Sequence, residues 1–86
     1  MPDRSGYESH LSSRAAAFVI SLSKRRQRIV LDLADQIADQ PFEAGDYQML
    51  DATGRSIENL LLQEYLFTYW VDHASREVRI TEIVRV

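Results

Sequence analysis

Residues 64–83 read EYLFTYWVDHASREVRITEI, and the way this stretch folds decides the class of the whole chain. Tyr65, Phe67, Tyr69 and Val71 alternate with Leu66, Thr68 and Trp70, the two-residue period of a strand with two unlike faces. Aromatic and β-branched side chains suit such a pleated, half-buried surface. Val78 and Ile80 then alternate with Arg79 and Thr81, and DHASR between the two runs suits a hairpin loop. His73 sits in that loop beside Asp72. A neutral imidazole near pH 7 can act as a general base. Adjacent turn residues seldom face one another, however, and no nucleophile is evidently placed with them, so a solvent-facing histidine is the favoured reading.

Upstream, SIENLLL over 56–62 supplies a further strand. Phe42 to Ser56, FEAGDYQMLDATGRS, is rich in turn formers, and Gly45 and Gly54 offer positive backbone angles. This loop gathers Asp46, Asp51 and Arg55. Polar loop residues on a rigid scaffold often bind; alternatively, Asp51 and Thr53 build turns around Gly54 and Asp46 caps one. Without a glycine repeat or a following helix, it is not a phosphate loop.

Before Pro41 the period changes to that of a helix. In SKRRQRIVLDLADQIADQP, Ile29, Val30, Leu33, Ala34 and Ile37 share one helical face. Ser23 is a good N-cap, and the residue before Pro41 is driven out of the helical region, so a helix is expected over about 24–39. Ala15, Phe18, Val19 and Leu22 form a second stripe. The serines at 21 and 23 favour two packed helices over one long one. YESHLS, residues 7–12, alternates weakly enough to suggest a first strand. The expected class is α+β: two N-terminal helices packed on a three- to four-stranded antiparallel sheet.

The bulk figures fit one domain over 1–86, with residues 1–6 expected to be disordered. A chain of 86 residues buries only roughly 60–65% of its unfolded surface. There are no cysteines, which excludes a disulfide scaffold and thiolate-bound zinc. The longest apolar run, AAAFVI from Ala15 to Ile20, is too short to span a bilayer, and MPDRSG is unlike a signal peptide. A cytoplasmic protein with no membrane partner is expected. The net charge of −3 conceals KRRQR at 24–28, which carries four of the ten basic side chains. An acidic total argues against extensive nucleic-acid binding, yet leaves a local basic patch.

The order of elements resembles the RelE/ParE family of toxins from toxin–antitoxin pairs, which includes plasmid-stabilization proteins. SLSKRRQRIVLDLADQIADQP resembles the family's helix pair followed by a proline, and EYLFTYWVDHASREVRITEIVRV resembles its last two strands. The likeness runs over residues 7–86 through patterned positions rather than an invariant signature. It implies an antitoxin partner and a cellular target, either the ribosome with its messenger RNA or DNA gyrase. RelE-type members cut messenger RNA with basic residues. Here Leu66 follows Tyr65 where the pattern has an arginine, Arg85 falls near an arginine at the end of the last strand, and the sequence ends at Val86, before the place of the family's catalytic tail. ParE-type members act on gyrase without that set. The resemblance therefore implies the fold more strongly than it implies RNA cleavage.

If the chain does cut RNA, Arg85, Arg79 and Arg55 are the residues to stabilise phosphate and transition-state charge, with His73 as base. His10 and His73 have no metal-ligand spacing, and neither a metal nor a cofactor is implied. Lys24, Arg25, Arg26 and Arg28 either meet a partner's anions or form a solvated face paired with Asp32 and Asp35. Tyr65, Phe67 and Tyr69 belong under the helices. Leu66 and Trp70, with Leu60 or Leu62, are left on the other side as a surface for an antitoxin or a second copy of the chain. The alternatives are a non-catalytic interaction domain, dimeric or partner-bound, and an RNA-binding module without cleavage.

Overall fold

The computed structural model describes residues 6–86. The order is β1 (Glu8–Leu11), α1 (Ser13–Ile20), α2 (Lys24–Asp39), β2 (Tyr47–Leu50), β3 (Ser56–Leu62), β4 (Tyr65–Asp72) and β5 (Glu77–Arg85). The strands form one sheet in the order β1-β5-β4-β3-β2. The α+β class and both helices are as the sequence indicates. The sheet is not: it has five strands and is mixed, because β1 runs parallel to β5 while the other pairs are antiparallel. The added strand, β2, lies in the stretch that reads as loop. Of the segment expected to be disordered, residues 1–5 lie outside the described residues.

Both helix starts are built by serines. Ser12 accepts from the Ala15 amide at 3.1 Å, and Ser23 accepts from the Arg26 amide at 3.3 Å. Ser21 is the C-cap of α1, and Gln40, just before Pro41, is the C-cap of α2. The buried face of α2 is Val30, Leu33, Ala34, Ile37 and Ala38, and that of α1 is Ala15 and Val19. They cover Tyr65, Phe67 and Tyr69 of β4 with Val78, Ile80 and Ile83 of β5.

Ile80 and Ile83 are three residues apart, which a regular strand would send to opposite faces. A register shift at Thr68/Tyr69 leaves Thr81 unpaired and resets the alternation. The Ser12 hydroxyl donates to the Thr81 carbonyl at 2.7 Å, and the Thr81 hydroxyl donates to the Thr68 carbonyl at 3.2 Å. One serine thus caps a helix and secures the bulge that keeps β5 facing the core.

Glycine serves two different purposes around β2. Gly54 has φ +83° in the β2–β3 turn. Gly45 does not adopt a positive angle; it is needed for space, since a Cβ there would sit 2.7 Å from the Asn59 carbonyl oxygen. Asp51 organises the turn by accepting from the Thr53 amide at 2.8 Å, the Thr53 hydroxyl at 2.6 Å and the Arg55 amide at 3.0 Å.

Candidate functional site

The helices cover one face of the sheet and leave the other open. Pairing of Leu60 with Phe67 and of Leu62 with Tyr65 puts both leucines on the helix side, where they pack against the core. This corrects the expectation that Leu60 or Leu62 joins the uncovered surface: the residue of β3 that does so is Leu61, opposite Leu66. The same registers place Tyr47, Met49, Ile57, Leu66, Trp70 and Val84 on the open face. Tyr47, Met49, Leu61 and Val84 are exposed, while Leu66 and Trp70 are half-buried. Asn59 lies among them, fully buried; its amide oxygen accepts from the Thr68 hydroxyl at 3.0 Å and its Nδ2 has no hydrogen-bond partner.

Toward β1 the open face turns polar. His10 Nε2 lies 3.1 Å from Glu77, and Arg14 lies 3.7 Å from Glu82. Trp70 stands at the boundary under two guanidinium groups, with Arg55 3.9 Å and Arg79 5.7 Å from its ring centroid. Two of the candidate catalytic arginines are therefore brought together on one indole ring. Arg85 lies six positions beyond Arg79 along β5, roughly 20 Å away at the rise of a strand, so the three do not converge.

Each of these arginines is held by carboxylates. Arg55 Nε donates to Asp51 at 2.9 Å, Arg79 pairs with Glu77 and Asp72, and Arg85 Nε lies 2.7 Å from Glu64 Oε2. That same Glu64 oxygen accepts from Arg26 at 2.7 Å, and Arg26 also donates to the Tyr65 hydroxyl at 3.1 Å. Both bonds, the Tyr65 one first, raise the Arg26 pKa. Glu64 thus ties the start of α2 to the end of β5. Lys24, Arg25 and Arg28 are exposed and form no ion pair among the described residues; the expected pairs with Asp32 and Asp35 are not made, and Asp35 instead accepts from Ser9 at 3.4 Å. The Thr53 hydroxyl, followed by the Arg55 amide, lowers the Asp51 carboxyl to about 2.

His73 is not a lone turn residue. Its Nδ1 lies 2.8 Å from the Tyr7 hydroxyl, and Phe42 stacks on its ring with centroids 5.1 Å apart and planes 10° from parallel. Tyr7 and Phe42 are functional candidates that sequence reasoning missed. Their separation along the chain hides the cluster, although an aromatic just past the α2 stop and another at the start of the β1 stretch are visible in the sequence. Among the described residues no group of three or more His, Cys, Asp or Glu could hold a metal ion. No described helix is long and apolar enough to cross a membrane.

No protein-family model and no curated protein matches the sequence. Solved structures do. The RelBE2 toxin–antitoxin complex of Mycobacterium tuberculosis superposes with a TM-score of 0.76 at 16% identity, covering 93% of this chain and 98% of that one. The intact Escherichia coli RelBE complex gives 0.69 at 17% identity, covering 93% and 96%. The archaeal RelE–RelB complex of Pyrococcus horikoshii gives 0.67 at 18% identity, covering 93% and 94%. Two helices on one face of a mixed five-stranded sheet therefore define a known class of small α+β protein. It is the RelE toxin fold, and this chain has it over nearly its whole length.

Proposed function

We propose that this chain is a type II toxin-family protein that binds an antitoxin polypeptide and, through its surface, a cellular target, either the translation machinery or gyrase. The observation that carries the reading is the uncovered sheet face. A fold shared with toxins solved in complex with RelB antitoxins presents Tyr47, Met49, Leu61 and Val84 to solvent beside half-buried Leu66 and Trp70. Exposed apolar surface of this kind marks a partner site. Lys24, Arg25 and Arg28, exposed on α2 and without an ion pair among the described residues, are available to a partner's carboxylates or phosphates, with Arg26 already engaged by Glu64. Such a protein works in the cytoplasm.

The test is induced expression with and without the small protein encoded beside it. Growth arrest that the neighbour relieves is the expected result; no arrest in either condition refutes the toxin reading. For cleavage, Arg85→Ala should relieve the arrest, and arrest that persists in that variant removes the Arg85-dependent mechanism.

A second reading, a non-catalytic interaction domain, is favoured by the ion pairs. Arg55, Arg79 and Arg85 are each neutralised by a carboxylate, which opposes a role in stabilising phosphate charge. On this reading expression causes no arrest, the chain associates through Leu66 and Trp70, and Trp70→Glu raises the monomer fraction in sedimentation. An unaltered mass would count against that interface.

A further inference from the structure

On the helix side of the sheet, beyond the end of α2, lies an open pocket of about 350 Å³ that the open-face reading does not use. Ser56 and Glu58 of β3 and Val71 of β4 form its floor, and the loop carrying Phe42 and Glu43 forms a wall. Phe42 is 79% exposed yet fixed, because it stacks on His73 while Tyr7 lies edge-on to both rings at 5.8 and 5.7 Å. An aromatic face held toward water in this way offers surface to a ligand rather than to the core.

The electrostatics specify the ligand's charge. Glu58 accepts from the Gly45 amide at 2.7 Å, Gln48 at 3.0 Å and the Ser56 hydroxyl at 3.2 Å. All three donors are neutral, so the carboxylate's charge is not compensated. The Glu43 side chain has no partner among the described residues. The cation on the rim, Arg55, is bound to Asp51 at 2.9 Å and turned onto Trp70. Burial, followed by the charges of Glu58, Asp46 and Glu43, raises the Tyr69 hydroxyl to about 12, as expected beside unneutralised carboxylates. A phosphate or nucleic acid would meet like charge here.

We propose that this pocket receives an arginine side chain of a polypeptide partner, its guanidinium stacked on Phe42 and hydrogen-bonded to Glu43 and Glu58. The planar cation satisfies both the ring face and the carboxylates, which the compact ammonium of lysine does less well. The volume lies at the low end of the roughly 300–1,000 Å³ usual for ligand pockets and suits one long side chain rather than a folded element. The contact extends the partner reading to the second side of the sheet, and it is testable without any growth assay.

The experiment titrates the full chain with acetyl-Gly-Arg-Gly-amide and with its citrulline counterpart, following the Phe42, His73 and Ser56 resonances by NMR. Citrulline keeps the shape and loses the charge. Saturable shifts confined to the pocket are expected, with the arginine peptide at least ~5-fold tighter, the scale of one cation–π or charge-assisted contact. Glu43→Gln, whose side chain has no partner among the described residues, should weaken binding with an unchanged unfolding curve. Phe42→Ala, which gives up the His73 stack, should weaken binding in a chain that still unfolds cooperatively. Absence of saturable shifts, equal affinity for the two peptides, or unchanged binding in both variants overturns the proposal. Loss of toxicity, or its absence, leaves these readings untouched.

Discussion

Leu66 and Phe67 are neighbours in β4 with opposite fates, and truncating each to alanine tests the assignment of faces on which the functional reading rests. Phe67 is 0% exposed and packed within the core, whereas Leu66 is half-buried on the uncovered side. A buried Phe→Ala change costs about 3–5 kcal/mol, the transfer of the ring plus the cavity left behind. At roughly 0.05–0.15 kcal/mol per residue, a chain of this size has about 4–13 kcal/mol in all, so Phe67→Ala removes between a quarter and the whole of it. Leu66→Ala opens no buried cavity and loses only part of the Leu side chain's burial, about 1 kcal/mol or less. Urea unfolding supplies the assay, because Trp70 is the single tryptophan, lies on the same strand as Leu66 and Phe67, and sits under Arg55 of the β2–β3 turn. The expected result is a large fall in midpoint for Phe67→Ala and a small one for Leu66→Ala. Equal falls, or the reverse order, would refute the register and with it the open face.

Three further outcomes follow from named contacts. The Asp51 carboxyl titrates at about 2 instead of 3.8. Because its folded value is depressed, its stabilisation of the β2–β3 turn is present above pH ~4 and is lost as pH falls toward ~2; hydrogen exchange at the Thr53 and Arg55 amides should quicken over that window, and Asp51→Asn should abolish the dependence. Tyr69 is raised from 10.0 to about 12, so its unionised form is favoured in the folded state and stability should decline from pH ~10 upward. Absorbance titration should show a late tyrosine component that Tyr69→Phe removes. Gly45→Ala should lower the unfolding free energy by about 1–3 kcal/mol, the scale of overpacking, since its methyl would meet the Asn59 carbonyl at 2.7 Å; an unchanged midpoint in urea would show that β2 gives way freely.

The helices and the last two strands were legible because burial imposes a period on them: one face of α2 and alternate residues of β4 must be apolar. Strand β2 escaped because YQML is exposed at all four positions, so burial imposes no alternation on it. What makes it a strand is its pairing with β3 across the turn that Asp51 builds, a long-range consequence of a local motif. The bulge at Thr81 likewise depends on Ser12, 69 residues away. At the candidate site, the turn that Asp51 makes with Thr53 is local and was readable, whereas the Asp51–Arg55 pair within the same loop was not singled out. The Tyr7–His73 contact spans 66 residues and the Arg26–Glu64 contact 38, and no periodicity encodes such meetings. Leu66 and Trp70 were placed on the correct side, while Leu60 and Leu62 were not, because the strand pairing that fixes their face is not written in β3 alone.

The distribution of charge explains why a family resemblance through patterned positions carries over the scaffold before the chemistry. A patterned position survives any substitution that keeps the apolar face, and β4 keeps its own through Tyr65, Phe67 and Tyr69. A cation acting on phosphate must also remain uncompensated, and that condition lies outside the pattern. Here Glu64 takes both Arg26 and Arg85, Asp51 takes Arg55, and Glu77 takes Arg79. The same ion pairs fasten α2 to the end of β5 and the β2–β3 turn to itself. Charge without an ion-pair partner among the described residues is left elsewhere: positive at Lys24, Arg25 and Arg28 on α2, negative at Glu43 and at Glu58, whose donors are all neutral, beside Phe42. Surfaces of opposite sign on one small body, with apolar side chains open on the sheet, fit a polypeptide that wraps the domain better than a nucleic acid held in one groove, since only the polypeptide can match both signs along its length.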